Sequence, residues 1–301
     1  MDTSHAAPPS IAFIGLGIMG GPMAANLVRA GYQVTGHNRS RAAVDRLVSA
    51  GGRGAQSVAE AVADADVVIT MLPADAEVTE VVLGEGGVLA HARPGTLLID
   101  MSTVGPPTAT ALAEAGRERG VRVLDAPVSG GEAGAVEAVL SIMAGGDATD
   151  FEAAAPVFRA LGTTVVHVGP HGAGQTVKAA NQLVVAVNIQ ALAEAVVFLE
   201  KAGADLPAAL EVLGKGLAGS TVLNRKKDNM LERSFAPGFR IDLHHKDLGI
   251  VTDTARDLGA ILPTGSLVAQ LLASCRANGD GGLDHSALLR GVERLSGPRT
   301  G

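Results

Sequence analysis

Lys178 is the residue from which chemistry can be argued first. It stands in Gly172-Ala-Gly174-Gln175-Thr-Val-Lys178-Ala-Ala-Asn181-Gln182, at the start of a long stretch without proline. Residues three and four apart share a helix face, so Lys178, Asn181 and Gln182 project together, and Asn188 continues the stripe. A lysine on an otherwise apolar helix is costly unless it has a task or a partner. Burial and a positive helix start both favour proton release from an ammonium near neutral pH. Lys178 is therefore the candidate general acid, and Asn181 the candidate substrate contact.

A second chemistry belongs to Gly15-Leu16-Gly17-Ile18-Met19-Gly20, which follows one apolar run and opens a helical one. In G-x-G-x-x-G the first glycine makes the turn, the second admits a pyrophosphate and the third lets helix and strand pack closely. The helix start supplies N–H donors for the phosphates. About twenty residues on, an NAD site would place an acid. This chain instead reads Asn38-Arg39-Ser40-Arg41, which suits a 2′-phosphate and so NADP. Met71-Leu72-Pro73 and Thr103 close two further strand-like runs, where ligands of open parallel sheets bind. Ser129-Gly130-Gly131 presents consecutive N–H groups without hindrance, which suits a carboxylate. Lys246, in His244-His245-Lys246-Asp247, is a candidate for closing over cofactor or substrate. Adjacent histidines point to different sides of a helix, and the other histidines lack ligand spacing, so no metal site is expected.

The elements that must position these residues alternate over the first half. Short apolar runs at 11–14, 33–36, 66–72, 96–100, 121–125, 141–144 and 164–167 read as strands separated by helical stretches. That order means right-handed crossovers and a largely parallel, doubly wound α/β sheet of the Rossmann type. After Gly169 the pattern turns helical: one helix from about Gly174 to Lys201, then five shorter ones. The expected organisation is a disordered lead-in over 1–10, a dinucleotide-binding domain over 11–170, and an all-helical domain over 171–301.

Composition narrows the function classes. The 301 residues carry a net charge of −7 and only 2% aromatics, which argues against nucleic-acid partners. Leu183–Leu199 is interrupted by Asn188, Gln190 and Glu194, so it reads as a core helix and no membrane partner is expected. One cysteine, Cys275, excludes an intrachain disulfide and fits a reducing, cytoplasmic setting. The apolar residues of the long helix, from Val184 to Leu199, cover most of its circumference. That predicts association into a homodimer or homotetramer.

With these motifs in this order, the chain resembles the β-hydroxyacid dehydrogenase family from Ile11 to about Leu295. The resemblance implies NADP(H), with NAD as the alternative, and a small 3-oxo or 3-hydroxy acid as substrate. It implies that Ser129, Gly130 and Gly131 hold the substrate carboxylate and that Lys178 protonates the alkoxide. Asn181 would orient the reacting oxygen. Some members carry Asn at both positions three and four after the lysine, whereas this chain has Asn181-Gln182. The segments 217–223, 237–243 and 284–287 resemble the branch that reduces tartronate semialdehyde to glycerate. Oxidation of 3-hydroxyisobutyrate, or reduction of a related semialdehyde, is the enzymatic alternative. A catalytically silent NADP-binding regulator is the alternative from another class.

Overall fold

The computed structural model describes residues 8–297. The chain divides into two compact units between Lys178 and Ala179. Most of the expected lead-in, residues 1–7, lies outside the described residues. Ser10 is held in place, its N–H donating to Asp66 Oδ2 at 2.9 Å and its hydroxyl to the Asp64 carbonyl at 2.9 Å.

The first unit runs β1 (Ile11–Ile14), α1 (Gly20–Arg29), β2 (Val34–His37), α2 (Arg41–Ser49), β3 (Arg53–Gly54), α3 (Val58–Val62) and β4 (Val67–Thr70). It continues with α4 (Asp75–Leu83), α5 (Val88–His91), β5 (Leu97–Asp100), α6 (Pro106–Glu118), β6 (Arg122–Asp125) and β7 (Val128–Ser129). Then follow α7 (Gly131–Val136), β8 (Leu140–Gly146), α8 (Ala148–Arg159), β9 (Gly162–Gly169) and the start of α9 (Ala173–Lys201). The sheet order is β3-β2-β1-β4-β5-β6-β8-β7, with β9 on β8. The strands from β3 to β6 are parallel, whereas β8 runs antiparallel to β6 and β7. β1, β4 and β5 are buried on both faces, as their unbroken Val/Ile/Leu runs require under helices on each side. The fold is a Rossmann-type α/β domain followed by a helical one. Sequence reading passed over β3 and β7, whose two residues each carry no periodicity to detect.

Parallel register aligns the carboxyl ends of the central strands. Ile14 pairs with Thr70, Thr70 with Asp100, and Asp100 with Asp125. One row across the sheet thus ends in a hydroxyl and two carboxyls.

The second unit holds the rest of α9, then α10 (Leu206–Lys215), α11 (Thr221–Glu232), α12 (Ile241–Leu258), α13 (Pro263–Ala277) and α14 (Leu288–Ser296). A short 3-10 turn at His285–Ala287 precedes α14. Asp205 and Ser220 cap α10 and α11 by accepting from Ala208 N and Leu223 N. By length and composition α9 could cross a membrane. Here Ile189, Leu192, Val196 and Val197 are buried in a core shared with Leu210, Leu248 and Leu272. The shorter helices therefore enclose more of α9 than its sequence suggested. What stays outside is narrower: Val184 is 58% and Phe198 72% exposed.

Candidate active site

The glycine turn is built as a ligand edge. Gly15 has φ +99°, a conformation natural to glycine, and a side chain there would strike the Met71 carbonyl. Gly20 sits against the Gly15 carbonyl and Phe13, so α1 and β1 approach closely. A Cβ at Gly17 would meet nothing within 4 Å. No side chain caps α1. Glycine at 17 is thus not required by the protein's own packing, and the first-turn N–H groups are not claimed by a side chain. A pyrophosphate fits this edge, with the glycine turn as its cradle and NADP(H) as the group. Asn38 Oδ1 accepts from Leu16 N at 3.0 Å, tying the turn to the end of β2. Arg39 and Ser40 are exposed beside it.

The end of β4 is tied to the end of β5. Leu72 N donates to Ser102 Oγ at 2.9 Å, and the Ser102 hydroxyl donates to Asp100 Oδ1 at 2.6 Å. Thr70 also donates to that oxygen, at 2.7 Å. Asp100 is fully buried, and burial pushes its carboxyl up from the ordinary range, with the nearby Asp125 adding to the shift. Met71 and Leu72 are half-buried, Pro73 is exposed and Thr103 is half-buried.

Lys178 is held from the same row. Asp125 Oδ1 accepts from Gly172 N at 2.8 Å and Oδ2 from Gln175 N at 3.0 Å, so this carboxyl closes the start of α9. Burial raises the Asp125 pKa, against the pull of those two N–H groups. Gln175 then clamps the loop after β5: its Nε2 donates to the Ser102 carbonyl at 2.8 Å, and its Oε1 accepts from Val104 N at 3.1 Å. With α9 pinned, Lys178 is buried at 6% exposure and its Nζ donates to the Val128 carbonyl at 2.7 Å. Val128 immediately precedes Ser129-Gly130-Gly131. That segment is not a plain loop: Ser129 ends β7 and Gly131 begins the short helix α7, with Gly130 at φ +143° and Gly131 at φ +64°. The first unit therefore brings Lys178 to the carbonyl next to the Ser-Gly-Gly segment.

Asn181, Gln182 and Lys246 belong to the second unit. Asn181 Nδ2 donates to Gln182 Oε1 at 2.9 Å. Lys246 pairs with Asp247 at 3.0 Å. α12 begins at Ile241, so the His-His-Lys-Asp run lies inside that helix. Among the described residues no group of three or more His, Cys, Asp or Glu could hold a metal ion.

Asp100, Ser102, Gln175 and Asp125 are the functional-frame residues that sequence reasoning left without a role. Their signal was present: an acid ends each of two apolar strands. Only register shows that the two acids are neighbours.

Such a parallel sheet with an open glycine turn at its first crossover defines a dinucleotide-binding protein. Residues 10–169 match the family model described as the NAD binding domain of 6-phosphogluconate dehydrogenase. Residues 172–292 match the NAD-binding domain of NADP-dependent 3-hydroxyisobutyrate dehydrogenase. The chain belongs to the 3-hydroxyisobutyrate dehydrogenase family and is an NAD(P)-dependent β-hydroxyacid dehydrogenase. It is 42% identical to 2-hydroxy-3-oxopropionate reductase of Escherichia coli, over 95% of this chain and 98% of that one. It is 40% identical to 3-hydroxyisobutyrate dehydrogenase of Pseudomonas aeruginosa, over 92% of this chain and 96% of that one. The solved 3-hydroxyisobutyrate dehydrogenase of Mycobacterium tuberculosis with L-serine superposes with a TM-score of 0.87, at 38% identity, over 95% of this chain and 99% of that one.

Proposed function

We propose that this enzyme uses NADPH to reduce tartronate semialdehyde (2-hydroxy-3-oxopropionate) to glycerate. The observation that carries the reading is Lys178, buried and held at the carbonyl of Val128, next to Ser129-Gly130-Gly131. We read Lys178 as the proton donor, beside the segment we assign to the substrate carboxylate. The choice of substrate is supported by the 42% identity to the Escherichia coli reductase.

Bound NADPH supplies the hydride. The Ser129 hydroxyl and the N–H groups of Gly130 and Gly131 bind the substrate carboxylate. The Lys178 ammonium stabilises the oxyanion as the aldehyde oxygen gains charge, then gives it a proton. In alcohol oxidation the same amine takes the proton back. Asn181 orients the reacting oxygen, and Lys246 closes over cofactor or substrate. Leu16, Ile18 and Met19 complete the glycine turn on the pyrophosphate. Met71, Leu72, Pro73 and Thr103 line the nicotinamide-ribose. Asn38 shapes the adenosine end, and Arg39 and Ser40 take the 2′-phosphate.

The second reading, 3-hydroxyisobutyrate oxidation, is favoured by the 40% identity to the Pseudomonas enzyme. Compared at one oxidation level, the two substrates differ by hydroxyl against methyl at carbon 2, and a pocket that does not hydrogen-bond that hydroxyl separates such a pair by only about 10²-fold. A panel of both substrates with NADPH, NADP, NADH and NAD tests the proposal by kcat/KM. The highest value for tartronate semialdehyde with NADPH is expected. A higher value for 3-hydroxyisobutyrate with NADP overturns the substrate assignment, and turnover of neither favours the silent regulator.

We assign the exposed side chains Val184 and Phe198 on α9 to contact with a second copy of the chain, in a homodimer or homotetramer. Light scattering that returns a ~30 kDa monomer at micromolar concentration would sink this assignment. The buried free thiol of Cys275 suits a cytoplasmic enzyme.

A further inference from the structure

Gln182 is the fourth residue after Lys178 and has no part in the proposed reaction. Its side chain is 5% exposed and joins two groups assigned to the substrate. Its Oε1 accepts from Asn181 Nδ2 at 2.9 Å. Its Nε2 donates to Asp247 Oδ2 at 2.5 Å, while Asp247 Oδ1 pairs with Lys246 Nζ at 3.0 Å. The Asp247 carboxylate, 3% exposed, thus bridges the Gln182 amide and the Lys246 ammonium.

The backbone of Gln182 is held as well. His244, fully buried on α12, places Nε2 3.2 Å from the Gln182 carbonyl. A carbonyl only accepts, so the hydrogen sits on that nitrogen. The other nitrogen, Nδ1, meets His285 Nδ1 at 3.0 Å, and Phe239 packs edge-on against both rings. α9 and α12 are therefore pinned at one residue by both its main chain and its side chain.

We infer that Gln182 is a positioning residue for substrate binding, one amide setting the placement of Asn181 and, through Asp247, of Lys246. The inference rests on the role given above to Asn181 and Lys246. Reach and desolvation select glutamine at this position. An amide offers one acceptor for Asn181 and an N–H for Asp247, and no other uncharged side chain of this length does both. Asparagine would retract the amide by one carbon–carbon bond, about 1.5 Å, and could not serve both partners. Methionine would fill the space and leave the Asp247 carboxylate one donor short where little water reaches it.

The positioning role predicts a split between binding and chemistry. In Gln182→Met the KM for tartronate semialdehyde is expected to rise at least about tenfold, which is about 1.4 kcal/mol. The kcat should fall by less than the KM rises, because Asn181 loses its placement while Lys178 keeps its own, set separately by Asp125 and Gln175. Calorimetric titration of tartronate into the NADP-loaded enzyme should show the same loss, with the Kd for NADP unchanged. Asp247→Asn is the second variant, for use if Gln182→Met does not fold. It turns an amide N–H toward the Lys246 ammonium and is expected to weaken tartronate in the same way. Unchanged KM and tartronate affinity in the folded variant would overturn the inference, as would a loss confined to Tm. A wild-type enzyme that reduces no semialdehyde yet binds tartronate, with that binding lost in Gln182→Met, would overturn the proposed reaction and support the positioning role.

Discussion

Two helices of this protein begin with the same pattern and end up with opposite electrostatics. α1 follows Gly15-Leu-Gly17, and α9 opens within Gly172-Ala-Gly174. At α1 no side chain caps the helix, and the space beside Gly17 is open. At α9 the Asp125 carboxyl takes the N–H groups of Gly172 and Gln175, and a side chain on Gly174 would strike the carbonyls of Met143 and Asp125. One helix start is left open, and we assign it to a ligand's phosphate. The other closes on an anion from its own fold and so holds a lysine still. A glycine pair before a helix therefore marks close approach, and what approaches is decided elsewhere in the chain.

The strongest way to break this comparison is to remove what the closed start positions. Lys178→Ala should lower kcat by about 10²–10⁴, the usual contribution of a general acid or base. NADPH affinity, measured by fluorescence titration, should survive. Near-normal turnover would dismiss Lys178 as the acid.

The two glycines should respond in opposite senses. Gly174→Ala forces a methyl against backbone that cannot yield, so a stability loss of about 1–3 kcal/mol is expected by chemical denaturation. Gly17→Ala has room in the protein alone, so its denaturation curve should match wild type. Its NADPH affinity should fall about tenfold, or about 1.4 kcal/mol, because the methyl intrudes on the pyrophosphate. Equal stability losses in the two variants would erase the distinction between an open and a closed helix start.

The smallest effect is expected at the far end of the open site. Arg39→Asp sets a carboxylate beside the 2′-phosphate, and the NADPH-over-NADH ratio of kcat/KM should fall several-fold with little change in NADH use. A wild-type enzyme indifferent between the two cofactors would show that the 38–41 turn does not read the phosphate.

Much of this molecule is legible locally. The runs at 11–14 and 96–100 are apolar without alternation, which a strand buried under helices on both faces needs. The glycines at 15, 17 and 20 announce a turn, an approach and a packing contact within six residues. Lys178, Asn181 and Gln182 share a face by helical period alone. Other features escaped because they are too short or not local. β7 has two residues, and its antiparallel pairing with β8 gives no alternating pattern to detect. The two compact units part inside α9, between Lys178 and Ala179. Its first turn is bonded to Asp125, and no composition change marks that.

The sequence by itself determined the longer elements and the largely parallel sheet, and it marked the glycine turn and Lys178 as candidates. Each of these follows from residues within one or two helical turns or one strand of each other. Tertiary structure alone decided which groups are spent on the frame. Asp125 and Gln175 are 50 positions apart, and Gln182 and Asp247 are 65 apart. Whether a buried carboxyl reacts or merely holds depends on which N–H groups the fold brings to it. The physical reason is that an unpaired buried carboxylate is too costly to keep. Packing therefore assigns partners to these acids that no local spacing encodes.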